Sequence, residues 1–102
     1  MLTSKQRAAL RSMANTLETI AIVGKDGITE NLIAQVNDQL RARELIKGKV
    51  LENSLLSAKE AVNALAEACR AEAVQAIGSK FVLYNRNEKE PKIELISEKK
   101  KK

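Results

Sequence analysis

Histidine and tryptophan are absent from this sequence of 102 residues, and cysteine, tyrosine, phenylalanine and proline occur once each. Without histidine, imidazole acid–base catalysis is excluded; with Cys69 as the sole thiol, so are zinc sites built from His/Cys clusters. A lone cysteine also rules out an intramolecular disulfide and fits a reducing compartment. Phe81 and Tyr84, the two aromatics, leave no platform of stacked rings like that of an RRM. No apolar run approaches the roughly 18–20 residues that cross a bilayer. The opening Met1-Leu2-Thr3-Ser4-Lys5 leads into a mixed pattern without a signal-peptide apolar segment. A cytoplasmic protein without membrane contact is the expectation.

Positive charge is present, but unevenly. The 18 Lys and Arg exceed the 13 Asp and Glu by five, and four of the lysines are Lys99 to Lys102. Without them the balance is 14 to 13, so the remaining chain is close to neutral. The basic pI is a property of the tail and does not by itself make the folded part a nucleic-acid binder. The length suits one domain, read as residues 1–96, followed by a disordered lysine-rich tail at 97–102.

Apolar spacing at Leu10, Met13, Ala14 and Leu17 predicts an amphipathic first helix, opened by a Thr3-to-Gln6 capping box. Its early turns carry Lys5, Arg7 and Arg11 and no acid before Glu18, which opposes the helix dipole unless an anion offsets it. Ile20–Val23 reads as a buried strand ending at Gly24-Lys25-Asp26-Gly27. Thr29 then caps a second helix with Leu32, Ile33, Val36 and Leu40 inward. Leu45–Leu51 reads as a strand weakened by Gly48.

Ser57-Ala58-Lys59-Glu60 is a second capping box, and Val62, Leu65, Ala66 and Cys69 form the buried stripe of the third helix. Val74–Ile77 and Phe81–Tyr84 flank Gly78-Ser79, which suits a hairpin with a type II′ turn or a longer turn through Lys80, and Ile93–Ile96 is compatible with an additional short strand. The order helix, strand, helix, strand, helix, strand, strand predicts a compact two-layer α/β domain with a mixed four-stranded sheet.

The turn at Gly24–Gly27 precedes a helix N-terminus, where N–H groups and the helix dipole favour anions, and Lys25 adds a point charge. Glycines are also ordinary in such turns, and Asp26 works against phosphate. Neither a Rossmann fingerprint nor a P-loop fits this spacing. Lys47 and Lys49 share one face of the second strand, Lys80 lies at the hairpin, and Arg86 follows the last strand. No paired-carboxylate active site stands out, so a non-catalytic protein without cofactor, metal or small-molecule substrate is expected.

Four stretches resemble the YhbY-like, CRM-domain RNA-binding proteins. They are Met1 to Arg7, Val23 to Glu30, Arg43 to Lys47, and Gln75 to Tyr84, in order and in register across residues 2–96. The chain is similar to the stand-alone prokaryotic form. The resemblance implies a fold like the C-terminal domain of translation initiation factor three. It also implies a G-x-x-G loop that clamps nucleotide backbone as in KH domains, and action on precursors of the large ribosomal subunit. The family's loop falls on Gly24, Lys25, Asp26 and Gly27, its strand lysine on Lys47, and a basic residue near Arg86.

The sequence departs from the family at Asn15-Thr16, which replaces a His-containing turn, at Gly48, and at Asn85, which takes a basic position. Glycine at 48 is expected to loosen the strand. The RNA-binding residues expected are Arg7, Arg11, Gly24, Lys25, Asp26, Gly27, Lys47, Lys49, Lys80 and Arg86, with ribosomal RNA as partner and a monomeric state. The alternative is an adaptor docking on a ribosomal protein or assembly GTPase through the open sheet face.

Overall fold

Side-chain caps decide where each helix begins. The structure, a computed structural model, describes residues 3–86; the expected strand at Ile93–Ile96 and the tail lie outside the described residues. Helix α1 (Ser4–Ala14) starts at Thr3, whose hydroxyl accepts from the Gln6 N–H while the Gln6 side chain accepts from the Thr3 N–H, both at 3.0 Å. Helix α3 (Ala58–Cys69) repeats this reciprocal box between Ser57 and Glu60. Helix α2 (Glu30–Arg43) is capped by Thr29, which accepts from the Leu32 N–H. Each cap satisfies N–H groups that a helix leaves orphaned at its first turn.

The strands are β1 (Thr19–Val23), β2 (Leu45–Val50), β3 (Glu72–Ile77) and β4 (Lys80–Tyr84). They form one mixed sheet in the order β1-β2-β4-β3. β1 and β2 are parallel, while β4 runs antiparallel to both β2 and β3. The β3–β4 hairpin closes through Gly78-Ser79, with a positive φ of 61° at Gly78 alone, as a type II′ turn requires. Among the described residues, element order, strand count and the mixed sheet agree with the sequence reading.

Alternation along β2 and β4 separates two cores. Ile46, Val50, Phe81 and Leu83 face α2 and α3 and join Val36, Leu40, Val62, Leu65 and Cys69 in the main core. Leu45, Val82 and Tyr84 point the other way and are covered, with Val74, by Leu10 and Ala14 of α1. The expected layers are therefore the sheet and the α2/α3 pair, and α1 adds a partial cover over one end of the second face. The first helix departs from its predicted stripe: Met13 is exposed, and Leu17 packs against this second core from beyond the helix end.

Gly48 does not loosen β2. The strand is continuous and paired on both sides, and a Cβ at Gly48 would collide with the Phe81 ring and come within 2.9 Å of the Ala21 carbonyl oxygen. The aromatic ring fills the room that a β-branched residue would take. Glu44 ends α2 with a φ of 67°; its N–H donates to the Leu40 carbonyl, and its own carbonyl accepts from the Asn85 N–H. The Asn85 amide also donates to the Cys69 carbonyl at 3.5 Å. Asn85 thereby fastens the end of β4 to the ends of α2 and α3, a structural task at a position where the resemblance implies a basic residue.

Candidate nucleic-acid interface

Because β1 and β2 are parallel, the Gly24–Gly27 loop leaves the sheet beside the end of β2. The Val50 N–H donates to the Ser79 carbonyl, which brings the hairpin turn to this same end. Within the loop the Gly27 N–H donates to the Gly24 carbonyl at 3.0 Å, closing a tight turn. Gly27 has a φ of 71°, whereas Gly24 does not adopt a left-handed backbone. The loop rests on two leucines of the β2–α3 connection: Cβ atoms at Gly24 and Gly27 would lie 3.7 Å from Leu51 and 3.9 Å from Leu56. Lys25 and Asp26, at the tip of the turn, are both exposed. Asp26 thus projects from the same tip as Lys25 and partly offsets its charge.

Lys47 and Lys49 extend from β2 onto the face that α1 covers, but beyond α1's contact with Leu45. Lys80 is the cross-strand partner of Lys49, so these three amines share the half of the face that α1 leaves open next to the loop. Among the described residues, ion pairs within 4.0 Å form at Arg7 with Glu72 and at Arg41 with Asp38, and none forms at these three lysines.

The arginines lie elsewhere. Arg7 donates to the Ala73 carbonyl at 2.7 Å and sits 4.0 Å from the Glu72 carboxylate, holding α1 to the start of β3. The acid missing from the first turn of α1 is thus supplied by β3. Arg11 is half-buried one turn further along α1, and Lys5 is exposed on the first turn. Arg86 is exposed two residues beyond Tyr84, the residue that ends β4 about 13 Å along the strand from Lys80, at the opposite end of the sheet from the loop. The ten expected residues therefore separate into the cluster Gly24–Gly27, Lys47, Lys49 and Lys80, the pair Arg7 and Arg86 toward the far end of the sheet, and Arg11 on the covering helix α1.

Tyr84 is 3% exposed beneath α1, so it packs and presents no surface for a base. Cys69 is likewise a core residue; burial pushes its thiol pKa up, which suppresses the reactive thiolate. Ile22, paired with Lys49, and Ile77, paired with Lys80, lie on the lysine face and were missed by reading along the chain. Alternation within Ile20–Val23 was the available signal, but a continuous apolar run hides which member faces out. No helix among the described residues is long and apolar enough to cross a membrane.

Comparison with known proteins places the chain among relatives of similar sequence and fold. The "Probable RNA-binding protein YqeI" of Bacillus subtilis is 43% identical over 95 residues, covering 93% of this chain and 99% of its own. An "RNA-binding protein" of Haemophilus influenzae is 35% identical, covering 92% of this chain and 94% of its own. The solution structure of the hypothetical protein SAV1595 from Staphylococcus aureus superposes with a TM-score of 0.79 at 47% identity, covering 94% of this chain and all of the other. The family model for the CRS1 / YhbY (CRM) domain matches residues 2–85, a span that holds all the described strands and helices and the whole lysine cluster. By sequence and by fold, the chain belongs to the CRS1/YhbY (CRM) domain family.

Proposed function

We propose that this protein is a non-catalytic RNA-binding factor that engages ribosomal RNA precursors during assembly of the large ribosomal subunit. The observation that carries the reading is the convergence of Lys47, Lys49 and Lys80 on the half-face that α1 leaves open beside the G-x-x-G turn, with no carboxylate within 4.0 Å among the described residues. Names of relatives as RNA-binding proteins support the same reading. The amines neutralise phosphates, while the turn and the α2 N-terminus beyond it let a sugar–phosphate chain approach the backbone closely. The protein acts as a monomer in the cytoplasm under this reading.

The test is RNA affinity measured between about 50 and 200 mM salt. Three phosphate contacts on single-stranded RNA give a log–log slope near −2, at about −0.7 per contact. Substituting Lys47, Lys49 and Lys80 by Gln together should make the slope shallower by about that amount. An unchanged slope in that folded variant moves the site elsewhere. Crosslinking followed by RNA sequencing tests the target, with enrichment of large-subunit precursor RNA as the expected result.

A further inference from the structure

At the level of Lys49, register across the sheet reads Ile22, Lys49, Lys80 and Ile77 from β1 to β3. With strands about 4.8 Å apart the row is about 14 Å wide. Its centre is a directly opposed like-charge pair, which destabilises a sheet unless an anion offsets it. Its ends are isoleucines that are 50% and 65% exposed. Two residues further along each strand, on the same side, Gln75 faces Val82, which itself faces Lys47.

We propose that this row seats an unpaired RNA strand, with phosphates on Lys49 and Lys80 and unstacked nucleobases against Ile22 and Ile77. The inference rests on the RNA-binding reading and adds the class of RNA. Helical RNA presents its phosphates outward but keeps its base faces stacked on one another, so a duplex could use the two amines and would leave both isoleucines in water. A single strand offers anionic and apolar surface together. The order of groups also argues against a protein occupant. Protein interfaces place apolar residues centrally, with lysine depleted there, and put charge at the rim. This row has the lysines at its centre and the apolar groups at its edges.

The experiment compares a ten-nucleotide uridine-rich strand with a ten-base-pair RNA duplex, using the full chain and its Ile22→Thr, Ile77→Thr and double variants. Threonine keeps the β-branch, and Ile77→Thr at the more exposed edge position serves by itself where the double variant melts early. The expected result is tighter binding of the single strand and a three- to tenfold loss per isoleucine, on the order of partial burial of one apolar side chain. The salt slope should stay unchanged. Equal or tighter binding of the duplex, or single-strand affinity unaffected in a folded variant, overturns the inference while leaving salt-dependent RNA binding standing. Failure of the unsubstituted chain to bind either RNA at low salt overturns both readings. Loss of a co-purifying polypeptide in the variants, with RNA affinity intact, would assign the row to a protein instead.

Discussion

The ring of Phe81 occupies the space over Gly48 that any side chain at position 48 would need, and the two residues are cross-strand partners. Glycine in a strand interior ordinarily costs stability; here it is the condition for seating the ring. Gly48→Val should lower stability by about 1–3 kcal/mol, the range for overpacking. Phe81→Leu in the same chain should recover part of that loss, because residues in contact do not behave additively. Urea denaturation of the two single variants and the double variant measures the coupling, and fully additive losses would contradict the contact.

The glycines of the loop differ in what they require. Gly24→Ala adds a methyl at ordinary contact distance from Leu51 and should leave stability within about 0.5 kcal/mol. Gly27→Ala places a side chain on a backbone with φ of 71° and should cost about 1–2 kcal/mol. Thermal melts distinguish them. RNA affinity of the well-folded Gly24→Ala and Gly24→Leu pair then reports whether backbone approach matters, with a greater loss expected for leucine.

Arg7 and Lys49 should respond in opposite ways. Arg7→Ala removes a hydrogen bond to the Ala73 carbonyl and a partly exposed ion pair to Glu72, and should cost about 1 kcal/mol of stability with the RNA salt slope unchanged. Lys49→Gln relieves repulsion with Lys80, so stability should hold or rise slightly while the slope becomes shallower by about 0.7. Paired denaturation and binding titrations check both.

Cys69 makes stability sensitive to alkali. Burial disfavours its thiolate, so the folded pKa lies above the ordinary 9.0. Below that value both folded and unfolded chains hold the proton, and the stabilisation relative to the thiolate form is fully present. As pH rises past 9.0 the unfolded chain ionises first, so this contribution declines until the folded thiol also ionises. Melting temperature should therefore fall faster above pH 9 in the unsubstituted chain than in Cys69→Ala. Alkylation at neutral pH should be slow until denaturant is added.

The tail should supply affinity without discrimination. Deleting Lys99–Lys102 removes four of the 18 basic residues and should weaken binding to all RNAs by a similar factor, more at low salt. Competition between a preferred and an unrelated RNA measures the ratio. A ratio that collapses with the deletion would place specificity in the tail.

Much of the fold was legible because its signals are local. Thr3, Thr29 and Ser57 cap helices through residues three positions away, and the Gly78 turn sets the hairpin over a few bonds. The lysines of β2 could be assigned to one face from a period of two. Joining them to Lys80 depended on the pairing of β2 with β4, strands separated by a helix and a third strand. Arg7 and Arg86 looked like members of the same basic set, but charge type carries no position. Packing of α1 turned Arg7 into a brace on β3, and the direction of β4 carried Arg86 to the far end.

By itself, then, the sequence determined the element order, the helix starts, the hairpin turn, the exclusion of imidazole catalysis and of His/Cys zinc sites, and the concentration of net charge in the last four residues. Tertiary structure decided which cations converge, why Gly48 is a glycine, and that Ile22 and Ile77 stand beside a lysine pair. The division has a physical reason. Caps, turns and periodicity are settled by neighbours along the chain, whereas register and facing are settled by which distant apolar side chains share a core, and only the folded packing specifies that.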